Sequence, residues 1–156
     1  MSTETEIRER FWKQLSESPF LMVGLQGSRD HNLPMTAQLD PEANHAFWFY
    51  TSKDNRLAPG GPAMAQYASK DHDLFACVDG TLTPETDPAV IARYWSKQVE
   101  AWYPQGRNDP SLLMLRFDLN TAEIWEAEMS LKGVFKMMFG GDVRSEMKGK
   151  HAEVSL

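Results

Sequence analysis

Residues 20–51 read FLMVGLQGSRDHNLPMTAQLDPEANHAFWFYT, and this stretch decides the fold. Phe20–Gln26 is too short and too continuously apolar for a helix of its own, so it reads as a buried strand. The run from Gly27 to Asn32 has turn composition. Pro34–Leu39 is a second strand, Asp40–Asn44 a turn, and Ala46–Thr51 a third strand dense in aromatic residues, which favour a pleated, half-buried surface. Three strands at such close spacing form a meander, the local mark of an antiparallel sheet.

Outward from the meander, the N-terminal side predicts a helix over 1–18. Thr3-x-x-Glu6 has capping-box spacing, and Ile7, Phe11 and Leu15 recur along one face. Ser18-Pro19 ends it, because a residue before proline disfavours helical backbone. On the other side, Arg56–Pro62 carries two prolines and two glycines, and Pro62–Ala68 reads as a short helix with Pro62 in its first turn. Asp73–Leu82 is a fourth strand. Asp87 as N-cap with Pro88 behind it, then Ile91, Tyr94, Trp95, Gln98 and Trp102 at helical spacing, predict a helix over 87–102. Leu112–Leu119 and Ala122–Glu126, parted by Asn120-Thr121, read as a closing pair of strands. The sum is a mainly β chain with peripheral helices. Strands that do not alternate with helices argue against a parallel sheet, and a small antiparallel barrel of six strands leaves no exposed edges.

The 156 residues match about one domain of roughly 150 residues. It divides into the N-terminal helix, a barrel over 19–126 and a C-terminal tail over 127–156. The formal charge of −6 disfavours nucleic acid and anionic membranes as partners. No apolar run approaches the roughly 18 residues of a membrane span. The start is acidic, with no basic stretch ahead of an apolar run, so a cytoplasmic location is expected. One cysteine, Cys77 in an apolar strand, excludes an internal disulfide and reads as a structural thiol. His31, His45, His72 and His151 are far apart, and no metal site is expected.

Two segments offer chemistry. Thr51-Ser-Lys-Asp-Asn-Arg56 follows the aromatic strand and brings hydroxyls, an amide and two cations within six residues. Such a set can surround a phosphate with charge-assisted hydrogen bonds, and it is equally the composition of a polar turn. Pro34–Gln38 has short side chains that let a flat ring approach the backbone. No residue pattern marks a general acid, a general base or a nucleophile.

The order of these segments resembles a family. Phe11-Trp12 with Leu15, Pro34-Met-Thr-Ala37, Phe47-Trp-Phe-Tyr-Thr-Ser52, Gly80 and Tyr94-Trp95 carry the likeness. The run from Ala101 to Glu126, AWYPQGRNDPSLLMLRFDLNTAEIWE, is its most specific part. The chain looks like a member of the general stress protein 26 group, within the pyridoxamine 5′-phosphate oxidase-like superfamily of FMN-binding split barrels. The resemblance implies a six-stranded split barrel and a homodimer with FMN sites at its interface. It sets the isoalloxazine along Met35, Thr36 and Ala37. The phosphate falls to Thr51, Ser52 and the neighbourhood of Arg56, with Tyr50 and Lys53 as further cofactor-binding residues and Trp102, Tyr103 and Trp125 as aromatic closers. It further implies a flavin-dependent oxidoreductase acting on an unidentified small molecule, with a pyridine nucleotide as possible electron donor. A flavin- or small-ligand-binding stress protein without turnover and a cofactor-free dimer are the alternatives. The chain departs from its relatives at Asn55-Arg56-Leu57, where they read Ser-Arg-Lys. Leu57 in place of lysine removes a charged phosphate contact, an expected loss of about one to two decades in affinity, with Lys53 and the Gly60-Gly61 backbone as substitutes.

Overall fold

The computed structural model describes residues 3–126 and 151–156. The first helix, α1 (Glu4–Glu17), starts where its cap sets it, with Thr3 Oγ1 accepting from the Glu6 N–H at 3.2 Å. Its Ile7, Phe11 and Leu15 face is buried.

The meander forms as read, with one subdivision. β1 (Phe20–Leu25) pairs antiparallel with β2 (Leu33–Thr36), and β3 (Gln38–Asp40) pairs with β4 (Ala43–Ser52). β2 and β3 are halves of one run broken at Ala37, whose N–H donates to the Pro19 carbonyl at 2.7 Å. The remaining strands are β5 (Gly61–Ala68), β6 (Leu74–Pro84), β7 (Leu112–Glu126) and β8 (His151–Ser155). The sheet order is β2-β1-β5-β6-β7-β4-β3, with β8 also on β7. Because β2 and β3 stand at opposite ends of this order yet belong to one run, that run curls the sheet into a split barrel. Its inside is the core: Phe47 stacks on Phe117 at 5.2 Å, and the α1 face joins Val23, Ala63, Ala65, Val78, Leu115 and Ile124.

Three expectations are corrected. Pro62–Ala68 is strand, not helix: Ala63, Ala65 and Tyr67 are buried while Pro62, Gln66 and Ala68 are exposed, a period of two. The helix expected over 87–102 is two short ones, α2 (Pro88–Arg93) and α3 (Lys97–Glu100), each with its own side-chain cap, Asp87 and Ser96. The first ends at Tyr94, and the second starts at the Ser96 cap, whose hydroxyl accepts from the Val99 N–H at 3.2 Å. The expected strand pair 112–119 and 122–126 is the single strand β7, whose register against β6 shifts at Asp79/Gly80 instead of turning back. Gly80 is required there, since a Cβ would lie 2.4 Å from the Asp118 carbonyl oxygen. Counting the run over 33–40 once, the described residues hold six barrel strands and β8, which pairs Thr121–Trp125. Apart from 151–156, the expectations for the tail lie outside the described residues.

Candidate functional site

Paired residues of neighbouring strands share a face, so Pro34 and Thr36 on β2, Gln38 on β3 and Tyr50 and Ser52 on β4 point outward from the barrel. Outside the split, these residues meet the segment that carries α3. Together they enclose a hollow of about 660 Å³, floored by Pro34, Met35, Thr36 and Gln38 and walled by Tyr50, Thr51, Ser52 and Asn55. It is covered by Ser96, Val99, Trp102 and Tyr103.

Aromatic contacts fix that cover at both ends. Tyr94 stacks on Trp48 at 5.1 Å and donates its hydroxyl to Asp40 at 2.7 Å. This hydrogen bond, first among the causes, holds the Asp40 carboxyl below its usual range. The indole of Trp48 donates to Glu85 at 3.0 Å, and the Tyr50 hydroxyl donates to the Ile91 carbonyl at 2.5 Å. Trp95 sits between the rings of Tyr50 and Tyr103, 5.5 and 5.8 Å away. Tyr103 closes the far end, its hydroxyl donating to the Thr51 carbonyl at 2.7 Å. Burial pushes the hydroxyls of Tyr50 and Tyr103 up to about 12. The walls therefore carry no side chain that exchanges a proton near neutral pH. Trp102, by contrast, stands 82% exposed at the rim.

A second hollow, of about 620 Å³, adjoins the first through Ser52 and Asn55. Arg29, Asp30 and His31 from the β1–β2 turn line it, with Asp54 and Arg56 from the loop after β4. Arg56 donates to the His31 carbonyl at 2.6 Å, which ties the turn to the loop. Leu57 is 1% exposed and packs in the barrel core, while its N–H is taken by Asn55 Oδ1 at 2.8 Å.

The expected site residues distribute as follows. Met35, Thr36, Tyr50, Thr51, Ser52, Trp102 and Tyr103 line the first hollow, and Arg56 lines the second. Ala37 is buried and faces a different cavity, between α1 and the β3–β4 hairpin. Lys53 is exposed and lines neither hollow, although its N–H anchors the loop on the Ser111 carbonyl at 2.8 Å. The Gly60 N–H donates to the Leu57 carbonyl and is not free for a ligand. Trp125 lies on β7 and lines neither hollow. Gln38 and Asn55 fall inside the two segments singled out from the sequence, whereas Ser96, Val99 and Arg29 were missed. A Ser-x-x-Val cap before α3 would have flagged Ser96, but nothing local marks Arg29.

Among the described residues no group of three or more His, Cys, Asp or Glu is placed to hold a metal ion. No helix there is long and apolar enough to cross a membrane.

Comparison with known proteins bears on this geometry. Residues 6–148 match the family model described as pyridoxamine 5′-phosphate oxidase like. No curated protein matches the chain. Among solved structures, a general stress family protein from Xanthomonas campestris pv. campestris is 43% identical, with a TM-score of 0.76 over 84% of this chain and 94% of that one. The general stress FMN/FAD binding protein of Xanthomonas citri is 44% identical, with a TM-score of 0.74 over 81% and 93%. A general stress protein 26 from Jannaschia sp. CCS1 is 26% identical, with a TM-score of 0.78 over 99% and 100%.

Proposed function

Because the chain belongs to the pyridoxamine 5′-phosphate oxidase-like family, we propose that it binds FMN and works as a flavin-dependent oxidoreductase on a small molecule. A second copy of the chain completes each site. One observation carries the reading: a single hollow gathers Met35 and Thr36 from β2, Tyr50–Ser52 from β4, and Trp102 and Tyr103 from the segment after α3.

A flavin mononucleotide needs a flat apolar slot, polar partners along its sugar chain and cations for its phosphate. The residues present fit. Met35, Tyr50 and Trp102 supply the slot, Thr36, Gln38, Ser52 and Asn55 supply polar partners, and the adjoining hollow supplies guanidinium groups. When bound, the flavin supplies the electron transfer, and the protein's part is binding, orientation and electrostatics. Tyr50 and Tyr103 spend their protons on the Ile91 and Thr51 carbonyls, so they shape the slot and leave proton exchange to solvent or substrate.

The second copy is motivated by an exposed apolar face. Phe20 and Met22 on β1, Ala68 on β5, Phe75 on β6 and Trp125 on β7 share the outer surface of the sheet. Phe20 is 60% and Trp125 40% exposed. Contiguous exposed apolar area of this kind marks interaction surfaces. Its edge runs into Pro34 and Thr36, paired with Met22 and Phe20, so a chain docked there meets the floor of the hollow. In this arrangement Trp125 reaches a site on the neighbouring copy.

The test is a titration of FMN with the purified protein, followed by flavin fluorescence, then anaerobic addition of NADH or NADPH. The proposal predicts quenching at micromolar concentrations and bleaching of the visible flavin band. Unquenched flavin overturns FMN binding. Quenching without bleaching by either nucleotide overturns the oxidoreductase part and favours a flavin carrier.

A further inference from the structure

The loop after β4 is poorer in phosphate contacts than its composition suggests. Leu57 is turned into the core, Lys53 lines neither hollow, and the Leu57 and Gly60 N–H groups are spent inside the loop. Of this loop's cations, Arg56 alone lines the adjoining hollow. Its guanidinium is held by one hydrogen bond, to the His31 carbonyl, and forms no ion pair among the described residues.

That hydrogen bond reaches into the β1–β2 turn, and the turn is itself fixed. Gly27 adopts a positive φ of 82°, the Ser28 N–H returns to the Leu25 carbonyl, and the Asp30 N–H donates to Ser28 Oγ. The turn presents Arg29 to the same hollow, and Arg29 likewise has no ion-pair partner among the described residues. Two arginines, from elements 25 residues apart at the Arg56–His31 link, thus line one cavity next to the polar end of the flavin hollow.

We infer that Arg29 and Arg56 form a two-sided clamp for a phosphate monoester, with Arg29 supplying the charge that Leu57 does not. The inference rests on the flavin reading only for the identity of the ester; the clamp itself is a property of the second hollow. A guanidinium presents a planar fork of donors matched to phosphate oxygens, and two of them approaching from different sides fix the anion's position as well as its charge. Asp30 and Asp54 line the hollow too and oppose an anion. Asp54 is oriented by Ser52, whose hydroxyl donates to it at 2.5 Å. Asp30 flanks Arg29, so neutralising it strengthens anion binding while neutralising Arg29 weakens it.

The experiment compares FMN with riboflavin, which lacks the phosphate, by fluorescence titration of the full chain and its Arg29→Gln, Lys53→Gln and Asp30→Asn variants. Circular dichroism melts check each fold. The clamp predicts that the parent chain prefers FMN over riboflavin by about a hundredfold or more, at about one to two decades for each of its two charged contacts. Arg29→Gln lowers that preference by about ten- to a hundredfold without changing riboflavin affinity, Lys53→Gln leaves it within about threefold, and Asp30→Asn raises it. A preference untouched by Arg29→Gln, or no preference at all, overturns the clamp. If the parent binds neither flavin, the flavin reading falls, and phosphorus NMR of added inorganic phosphate decides the clamp separately. Line broadening lost in Arg29→Gln upholds it, and absence of broadening in the parent overturns it.

Discussion

The hydroxyl of Tyr103 donates a 2.7 Å hydrogen bond to the main-chain carbonyl of Thr51. It joins the end of the segment covering the hollow to the strand that walls it. Both residues are buried, so the bond is made out of water. Tyr103→Phe keeps the ring and removes the bond, at a cost of about 0.5–1.5 kcal/mol in stability. It also frees the cover from its wall. A modest drop in melting temperature with a several-fold weaker FMN titration is expected. Unchanged flavin affinity would mean that this tie does not shape the site.

Leu57→Lys installs the basic residue that the family resemblance leads one to expect at this position, and the resemblance alone predicts tighter phosphate binding. The structure predicts the opposite. The side chain sits in the barrel core beside other buried apolar groups, so an ammonium there is an uncompensated buried charge costing about 3–5 kcal/mol. Chemical denaturation should show that loss, with no gain in FMN affinity. A stable variant with improved affinity would show that the loop can rearrange to present residue 57 to the ligand.

The tyrosines set an alkaline limit. The chain has four, and burial raises each above the ordinary value of 10.0: Tyr50, Tyr67 and Tyr103 to about 12, with Tyr94 raised in direction. A folded-state value above the unfolded one leaves stability unaffected below pH 10 and lowers it as pH rises from there toward 12. For a buried residue such as Tyr67 or Tyr103 the slope is about 1.4 kcal/mol per pH unit. Spectrophotometric titration should find no phenolate at pH 10, then a cooperative rise that coincides with loss of circular dichroism. Reversible ionisation of these tyrosines near pH 10 in the folded protein would contradict the burial.

Phe20 tests the outer face. It is exposed in the single chain and makes no part of the core, so Phe20→Asp should leave the melting of an isolated chain nearly unchanged. In a dimer closed over this face it buries a charge, and the assembly should dissociate. Gel filtration at micromolar concentration distinguishes the two, and a dimer that survives the substitution moves the interface elsewhere.

What was legible in the sequence was what local physics decides. The caps at Thr3 and Asp87, the break at Pro19 and the meander over residues 20–51 depend on neighbours a few positions away, and all are present. Pro62–Ala68 misled because Pro at the start and Ala, Met and Gln behind it suit a helix, while the deciding fact is its place between β1 and β5's other partner, β6. Asn120-Thr121 has the composition of a turn, yet β7 carries on through it, since β6 and β8 pair with the strand beyond that point. The floor and walls of the site could be located because they follow a recognisable strand. Arg29 could not, because only the Arg56 link to His31 brings its turn beside the loop after β4.

The central claim joins flavin binding to a second copy of the chain, and sedimentation velocity with FMN, monitored at both protein and flavin absorption, tests both at once. The account predicts that the flavin signal sediments with a species of twice the 17.7 kDa chain mass, at one flavin per chain. Flavin that stays behind as the free small molecule, or that travels with a single chain, would contradict it.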